Sequence, residues 1–306
     1  MTSFNPEKRG EFHEQEPVPS SIRIEFFRHD DKEKPLPDAP KKPDELVRIS
    51  EAGRQHATDA GKTKSPNPEV GVVYGSGRER TTETALRQML ANEEEITPDM
   101  TLEDMKAKIG EEVKVGRKDI SSSLLNFNFD GSKGFHDAAF DHFLKSKDLL
   151  RWYVTESDNV VRAEKDSTST SYSRLAGNVA ELVDKYMKIY PRWKQITESD
   201  PDKYASYHNE LQRFMGTHQS VSEAFLMKVL EKTKGAEAVT SFIDSLKDKN
   251  GFGSSEGFTV QILESEGEQQ LIVKFRDEEW QTSPAVIDEI IDERDKLNES
   301  ISANGE

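Results

Sequence analysis

Three short apolar runs, each breaking off into polar residues at its C-terminal end, constrain this 306-residue chain more than any other feature. The first, "SIRIEFFRHDD" (21–31), carries Ile22, Ile24, Phe26 and Phe27 and delivers Arg28 and His29. The second, "EVGVVYGSG" (69–77), ends in a Gly-Ser-Gly turn, and the third, "LQRFMGTH" (211–218), ends on His218. Runs of this length, rich in β-branched and aromatic residues and bounded by turn residues, read as strands. Helical patterns alternate with them. In "ISEAGRQHATDAG" Ser50 is placed to cap a helix, Ala52, His56 and Ala57 share one side, and Gly61 can end it. A further helix is expected from about Glu79 to Leu90, with Ala85, Leu86 and Met89 inward, and "SVSEAFLMKVLEKT" follows the third strand. Strand–helix repetition of this kind predicts right-handed βαβ units: an α/β fold, three-layer α/β/α with a mostly parallel central sheet.

The remaining organisation follows from composition shifts along the chain. Residues 1–20 are polar with scattered Pro and Glu and read as a flexible arm ahead of one α/β domain over 21–295. The Pro- and charge-rich "DDKEKPLPDAPKKPDE" after the first strand is a loop. Between about 92 and 172 the periodicity loosens into short helical pieces, of which "DHFLKSKDLLRWYV" is the strongest; this stretch is expected to form an inserted, mainly helical cap. "SRLAGNVAELVDKYMKIYPRW" is the clearest amphipathic helix, with Leu175, Val179, Leu182, Val183 and Tyr186 at helical spacing. "GFTVQILESEGEQQLIVKF" alternates on both sides of "ESEGEQ" and predicts a C-terminal β-hairpin. A charged helix, "SPAVIDEIIDERDKLNES", leads to a flexible tail over 296–306.

Composition narrows the partners. A formal net charge of −16 argues against nucleic acid, although a few cations gathered in one pocket would still attract a small anion. The chain has no cysteine, so disulfides and thiolate metal sites are excluded. No apolar run has signal-peptide or membrane-spanning length, which makes a cytoplasmic protein without membrane contact the expectation. "FHDAAFDHF" sets His136, Asp137, Asp141 and His142 within two helical turns, but without a further ligand it reads as a polar helix face. No metal or cofactor is expected.

The polar residues of the three strand ends belong together. In open parallel α/β sheets, ligands sit beyond the C-terminal strand ends, where the following helices turn free N–H groups toward the crevice. Arg28 and His29, then Arg78 and Arg80 in "YGSGRERTTETA", then His218 and Gln219 would face one another there. Guanidinium forks match phosphate oxygens, and a neutral imidazole is a competent nucleophile toward phosphorus. An adjacent guanidinium disfavours a second cation and so helps keep that imidazole neutral.

With these residues in view, the chain resembles the histidine phosphatase superfamily, which includes the phosphoglycerate mutases and the histidine acid phosphatases. "FFRHD" resembles its Arg-His-Gly motif, "ISEAGRQHA" its Leu-Thr-x-x-Gly-x-x-Gln-Ala helix, "VYGSGRERTTETA" its arginine-bearing helix start, and "RFMGTHQSVSEAFL" its late strand-His-Gly segment. The resemblance covers roughly 21–90 and 173–232 and implies a phosphoglycerate mutase-like fold. It implies His29 as the phosphorylated nucleophile, with Arg28, Arg80 and His218 binding the phosphoryl group; Arg78 and Gln219 are expected as additional substrate contacts. The chain departs from the pattern at three places. Asp30 replaces the usual Gly, Gln219 follows the second histidine, and no Gly-x-x-Glu-Gly segment supplies the proton donor. "LLNFNFDGSKGF" offers Asp130 for that role, with Asp137 behind it.

The expected activity is hydrolysis of a small phosphate monoester through a phosphohistidine, without a metal. The alternatives are a mutase-like phosphotransferase and a regulatory protein that binds a phosphate ligand without turning it over. The natural substrate and the oligomeric state are left open by the sequence.

Overall fold

β1 (Ser21–Arg28) is the spine of a six-stranded sheet in the computed structural model, which describes residues 19–34, 40, 42–109, 115, 120–246 and 250–303. The other strands are β2 (Val72–Tyr74), β3 (Glu210–Thr217), β4 (Gly257–Ser265), β5 (Glu268–Phe275) and β6 (Glu278–Thr282), in the order β2-β3-β1-β4-β5-β6. β2, β3 and β1 run parallel, and β4 to β6 form an antiparallel meander on the far side of β1. The parallel strands are covered on both faces, so that even Glu25 of β1 and Gln212 and Arg213 of β3 are buried.

Pleating divides the core in two. Ile22, Ile24 and Phe26 face one way and Phe27 the other, all with no exposed surface. On the Phe27 face lie α1 (Glu51–Lys62) and α2 (Glu79–Met89), whose Ala85, Leu86 and Met89 join Val73 and Phe214 in one cluster. On the other face lie α3 (Tyr172–Ser199), α4 (Val221–Lys234), α5 (Ala236–Ser245) and α6 (Pro284–Ala303), around Phe26, Val179, Val183 and Phe225. The three-layer α/β/α expectation therefore holds. Ser50 caps α1 through its hydroxyl, which accepts from the Gly53 N–H at 3.1 Å.

The hairpin is also present: β4 and β5 are joined by Glu266-Gly267, both at positive φ, as a two-residue turn matched to strand twist requires. The sheet does not stop there. β6 adds a further strand that the sequence reading leaves out, because only Trp280 and Thr282 of its five residues turn inward and no apolar run results. α6 continues through the stretch assigned to a flexible tail, anchored by buried Leu297 and Ile301, and ends at Ala303. Residues 304–306, and 1–18 of the expected arm, lie outside the described residues.

Within 92–172 the described residues are mainly helical: α-helical over Leu102–Ile109, Lys133–Asp141, Leu149–Trp152 and Asp158–Ala163, with a 3-10 turn over Ser122–Leu125 and π-helical turns over His142–Ser146 and Tyr153–Ser157. "DHFLKSKDLLRWYV" is not one helix. Lys147, at φ 51°, breaks it after a π-helical turn over His142–Ser146. No described helix is long and apolar enough to cross a membrane.

Candidate active site

The parallel register of β1 on β3 assembles the histidines. Arg28 stands opposite Thr217, and the His29 N–H continues the ladder by donating to the Thr217 carbonyl at 2.9 Å. The next residues, His29 and His218, therefore leave the sheet side by side. Their ring centroids are 5.1 Å apart with planes crossing at 75°.

α2 brings the arginine. Gly216 lets it come close: a Cβ there would lie 2.1 Å from the Thr81 carbonyl oxygen in the first turn of the helix. Ahead of that turn, Gly77 takes a positive φ of 86°, and the Ser76 N–H donates to the Thr81 hydroxyl. Ser76 Oγ lies 2.6 Å from His218 Nε2, and Arg80, 1% exposed, donates from Nε to His29 Nε2 at 3.2 Å.

These contacts define the His29 tautomer. His29 Nδ1 lies 2.7 Å from the Asp30 carbonyl, which can only accept, so Nδ1 carries the proton and Nε2 keeps its lone pair toward Arg80. Burial lowers the imidazole pKa to about 3; the Asp30 hydrogen bond opposes this, and the charges of Arg80 and Arg28 reinforce it. His29 is thus a neutral base at ordinary pH. His218 is also held well below the usual histidine range, by burial first and then by His29, Arg78 and Arg80. Its Nδ1 is buried without a hydrogen-bond partner among the described residues.

The other expected residues divide into those near the histidines and those held elsewhere. Arg28 donates from Nη1 to the Phe252 carbonyl at 2.6 Å, and its Nε is buried without a partner among the described residues. Arg78 lies 4.5 Å over the Phe127 ring, and Phe127 in turn packs edge-on against His218 at 4.9 Å. "LLNFNFDGSKGF" therefore does reach the site. Asp130 on that segment is exposed, with its carboxylate 3.9 Å from His136 Nε2 and close enough for its charge to act on Arg78. Asp137 lies 3.3 Å from His136 Nδ1. The side-chain amide of Gln219, expected as a substrate contact, donates to the Asn250 carbonyl and ties the loop ahead of β4.

Asp30, where a Gly was expected, turns its carboxylate to partners within the fold. Its Oδ2 is 2.6 Å from both His56 Nδ1 and the donating Ser255 hydroxyl, and Oδ1 accepts from the Asp31 N–H at 2.8 Å. The carboxylate is thus engaged on His56 and Ser255 and only 2% exposed. His56 is half-exposed and partners Asp30.

Two residues at the site carry no sequence signal. Asp44, in the Pro-rich loop, accepts from Arg80 Nη2 at 2.9 Å and pairs with Arg78 and Lys32. Glu223, in the first turn of α4, is buried and accepts from the Phe252 N–H at 2.7 Å, steadying the segment whose carbonyl holds Arg28. Burial pushes its carboxyl up to about 7 against that hydrogen bond. Its inward direction could not be read from the sequence, since α4 also carries Lys228, Glu231, Lys232 and Lys234. Among the described residues, no group of three or more His, Asp or Glu side chains could hold a metal ion.

No protein-family model matches the chain, and no curated protein matches it. Among solved structures it is similar to mycobacterial hydrolase 2, at 14% identity over 90% of this chain and 98% of that one, with a TM-score of 0.46. It is also similar to a mycobacterial glucosyl-3-phosphoglycerate phosphatase in complex with inorganic phosphate, at 16% identity over 85% and 97%, with a TM-score of 0.42. An open reading frame product of Mycobacterium tuberculosis is similar at 13% identity over 82% and 95%, with a TM-score of 0.36.

Proposed function

We propose that this site hydrolyses a small phosphate monoester by way of a phosphohistidine on His29. The observation that carries the reading is the neutral imidazole, with its Nε2 lone pair against Arg80 and a second histidine 5.1 Å away. In the first step Nε2 attacks phosphorus, the N–P bond forms and the ester P–O bond breaks. The Arg80 N–H that caps Nε2 turns to a phosphoryl oxygen, and Arg28 and His218 hold the others. The leaving alkoxide takes a proton from Asp130, the proposed acid. In the second step water attacks phosphorus, gives that proton back to Asp130, and releases inorganic phosphate and neutral His29. Guanidinium charge stabilises the equatorial oxygens, and the reaction as written calls on no metal.

Trapping with a 32P-labelled aryl phosphate should give an acid-labile adduct on the wild-type chain and none on His29→Ala, with turnover insensitive to EDTA. Unchanged hydrolysis by His29→Ala would end this reading, and loss of activity with chelator would remove its metal-free form. A mutase-like reaction shares the first half and differs only in the acceptor. The exposed position of Asp130 favours a second reading, a binding protein without turnover. That version requires phosphate to bind while no adduct forms.

A further inference from the structure

Asp44 sits where three cations meet. Its carboxylate accepts from Arg80 Nη2 at 2.9 Å and lies 3.2 Å from Arg78 Nη1 and 3.5 Å from Lys32 Nζ. Its own backbone carbonyl accepts from Arg80 Nη1 at 2.7 Å. The phosphoryl reading asks only for Arg28, Arg80 and His218, so Arg78 and Lys32 are cations beyond its need. Gathering them is costly: both are held below their usual basicity, by burial first and by the charge of Arg80 second. An anion offsets that cost, and Asp44, in ion-pair contact with all three cations, supplies it, while the charges of Glu45 and Asp130 also act on Arg78. The partners also differ in their hold on the site. The Arg80 side chain is 1% exposed and the Asp44 side chain 48%, so the carboxylate can return to water while the guanidinium cannot.

We propose that Lys32, Arg78 and Arg80 form an anion subsite that Asp44 fills in the free protein, and that an anionic group of the ligand takes its place. Asp44 is then an internal competitor, and a ligand must carry a phosphate or carboxylate able to displace it. The proposal rests on the phosphoryl reading for the part Arg80 plays.

The opposite role, Asp44 as a brace that holds Arg80 in position, predicts the opposite sign. If Asp44 occupies the subsite about nine-tenths of the time, removing its charge tightens apparent binding about 10-fold. Calorimetric titration of inorganic phosphate should therefore show tighter binding to Asp44→Asn than to wild type, with Asp44→Ala changing in the same direction and Lys32→Ala weaker than wild type. Equal or weaker binding by both Asp44 variants overturns the proposal, as does absence of phosphate binding to every form. Aryl phosphate hydrolysis by the wild type is measured in parallel. Phosphate binding without hydrolysis would remove the phosphatase reading and leave the affinity comparison intact.

Discussion

The two halves of the sheet are built on different terms. In the parallel half, β2, β3 and β1 are covered on both faces, and the strand ends and the helix that follows β2 carry His29, Arg80 and His218. In the meander, β4 and β5 alternate buried with partly exposed residues, and Thr259, Gln261, Lys274 and Arg276 line an open cavity with Arg23, Glu25 and Lys64. The difference concerns the source of precision. Parallel register sets His29 and His218 side by side and the helix after β2 brings Arg80 to them, whereas the meander contributes its leading segment, where the Phe252 carbonyl holds Arg28 and Ser255 engages Asp30.

Substitutions in each half test that division. His29→Ala, in the parallel half, should lower kcat by on the order of 10⁴ or more, as loss of a nucleophile does, measured with an aryl phosphate. Arg80→Ala should cost on the order of 10²–10³ in rate, with the chain still folded by circular dichroism. An Arg80 variant near wild-type activity would detach the helix from the chemistry.

Glu223 tests how the leading segment of the meander is held. Its carboxyl titrates at about 7 in the fold instead of 4.5, so the folded state holds the proton longer than the unfolded chain does. The stability it contributes is present below about pH 4.5 and is lost as pH rises through 7, a change of about 3 kcal/mol. Urea melts of wild type and Glu223→Gln at pH 4.5 and 7.5 should therefore diverge, the Gln variant being the flatter; parallel curves would contradict the burial argument.

Two glycines complete the comparison. Gly216→Ala forces a methyl against the Thr81 carbonyl and should cost roughly 1–3 kcal/mol, with a loss of activity because Arg80 shifts. Gly267→Ala, in the hairpin turn, meets no atom within 4 Å and suffers only from its φ of 83°. About 1 kcal/mol of stability and no change in kcat are expected from thermal melts and steady-state assays. Equal effects on activity from the two would erase the distinction between the halves.

What the sequence conveyed follows the same division. β1, α1, α2 and β3 were legible because each is a local pattern with a turn or cap at its end, and their polar residues followed directly. β6 was not, since its five residues place only two inward. Asp44 and Glu223 were invisible for another reason: the first reaches the arginines from a loop without periodicity, and the second faces inward from a position a solvated glutamate could equally occupy. The partner of Gln219, Asn250, could not be foreseen, because only the tertiary fold brings the two together.

The place of β1 between β3 and β4 has a further consequence during synthesis. Its first partner strand begins about 190 residues later in the chain. At ribosomal speeds of roughly 5–20 residues per second, β1 stays without either neighbour for on the order of 10–40 s. Throughout that interval "IRIEFF" is a bare apolar edge, the kind of segment that nascent chains lose to aggregation or to chaperones. Yield on expression should therefore depend on what shields this strand early, independently of the stability of the finished molecule.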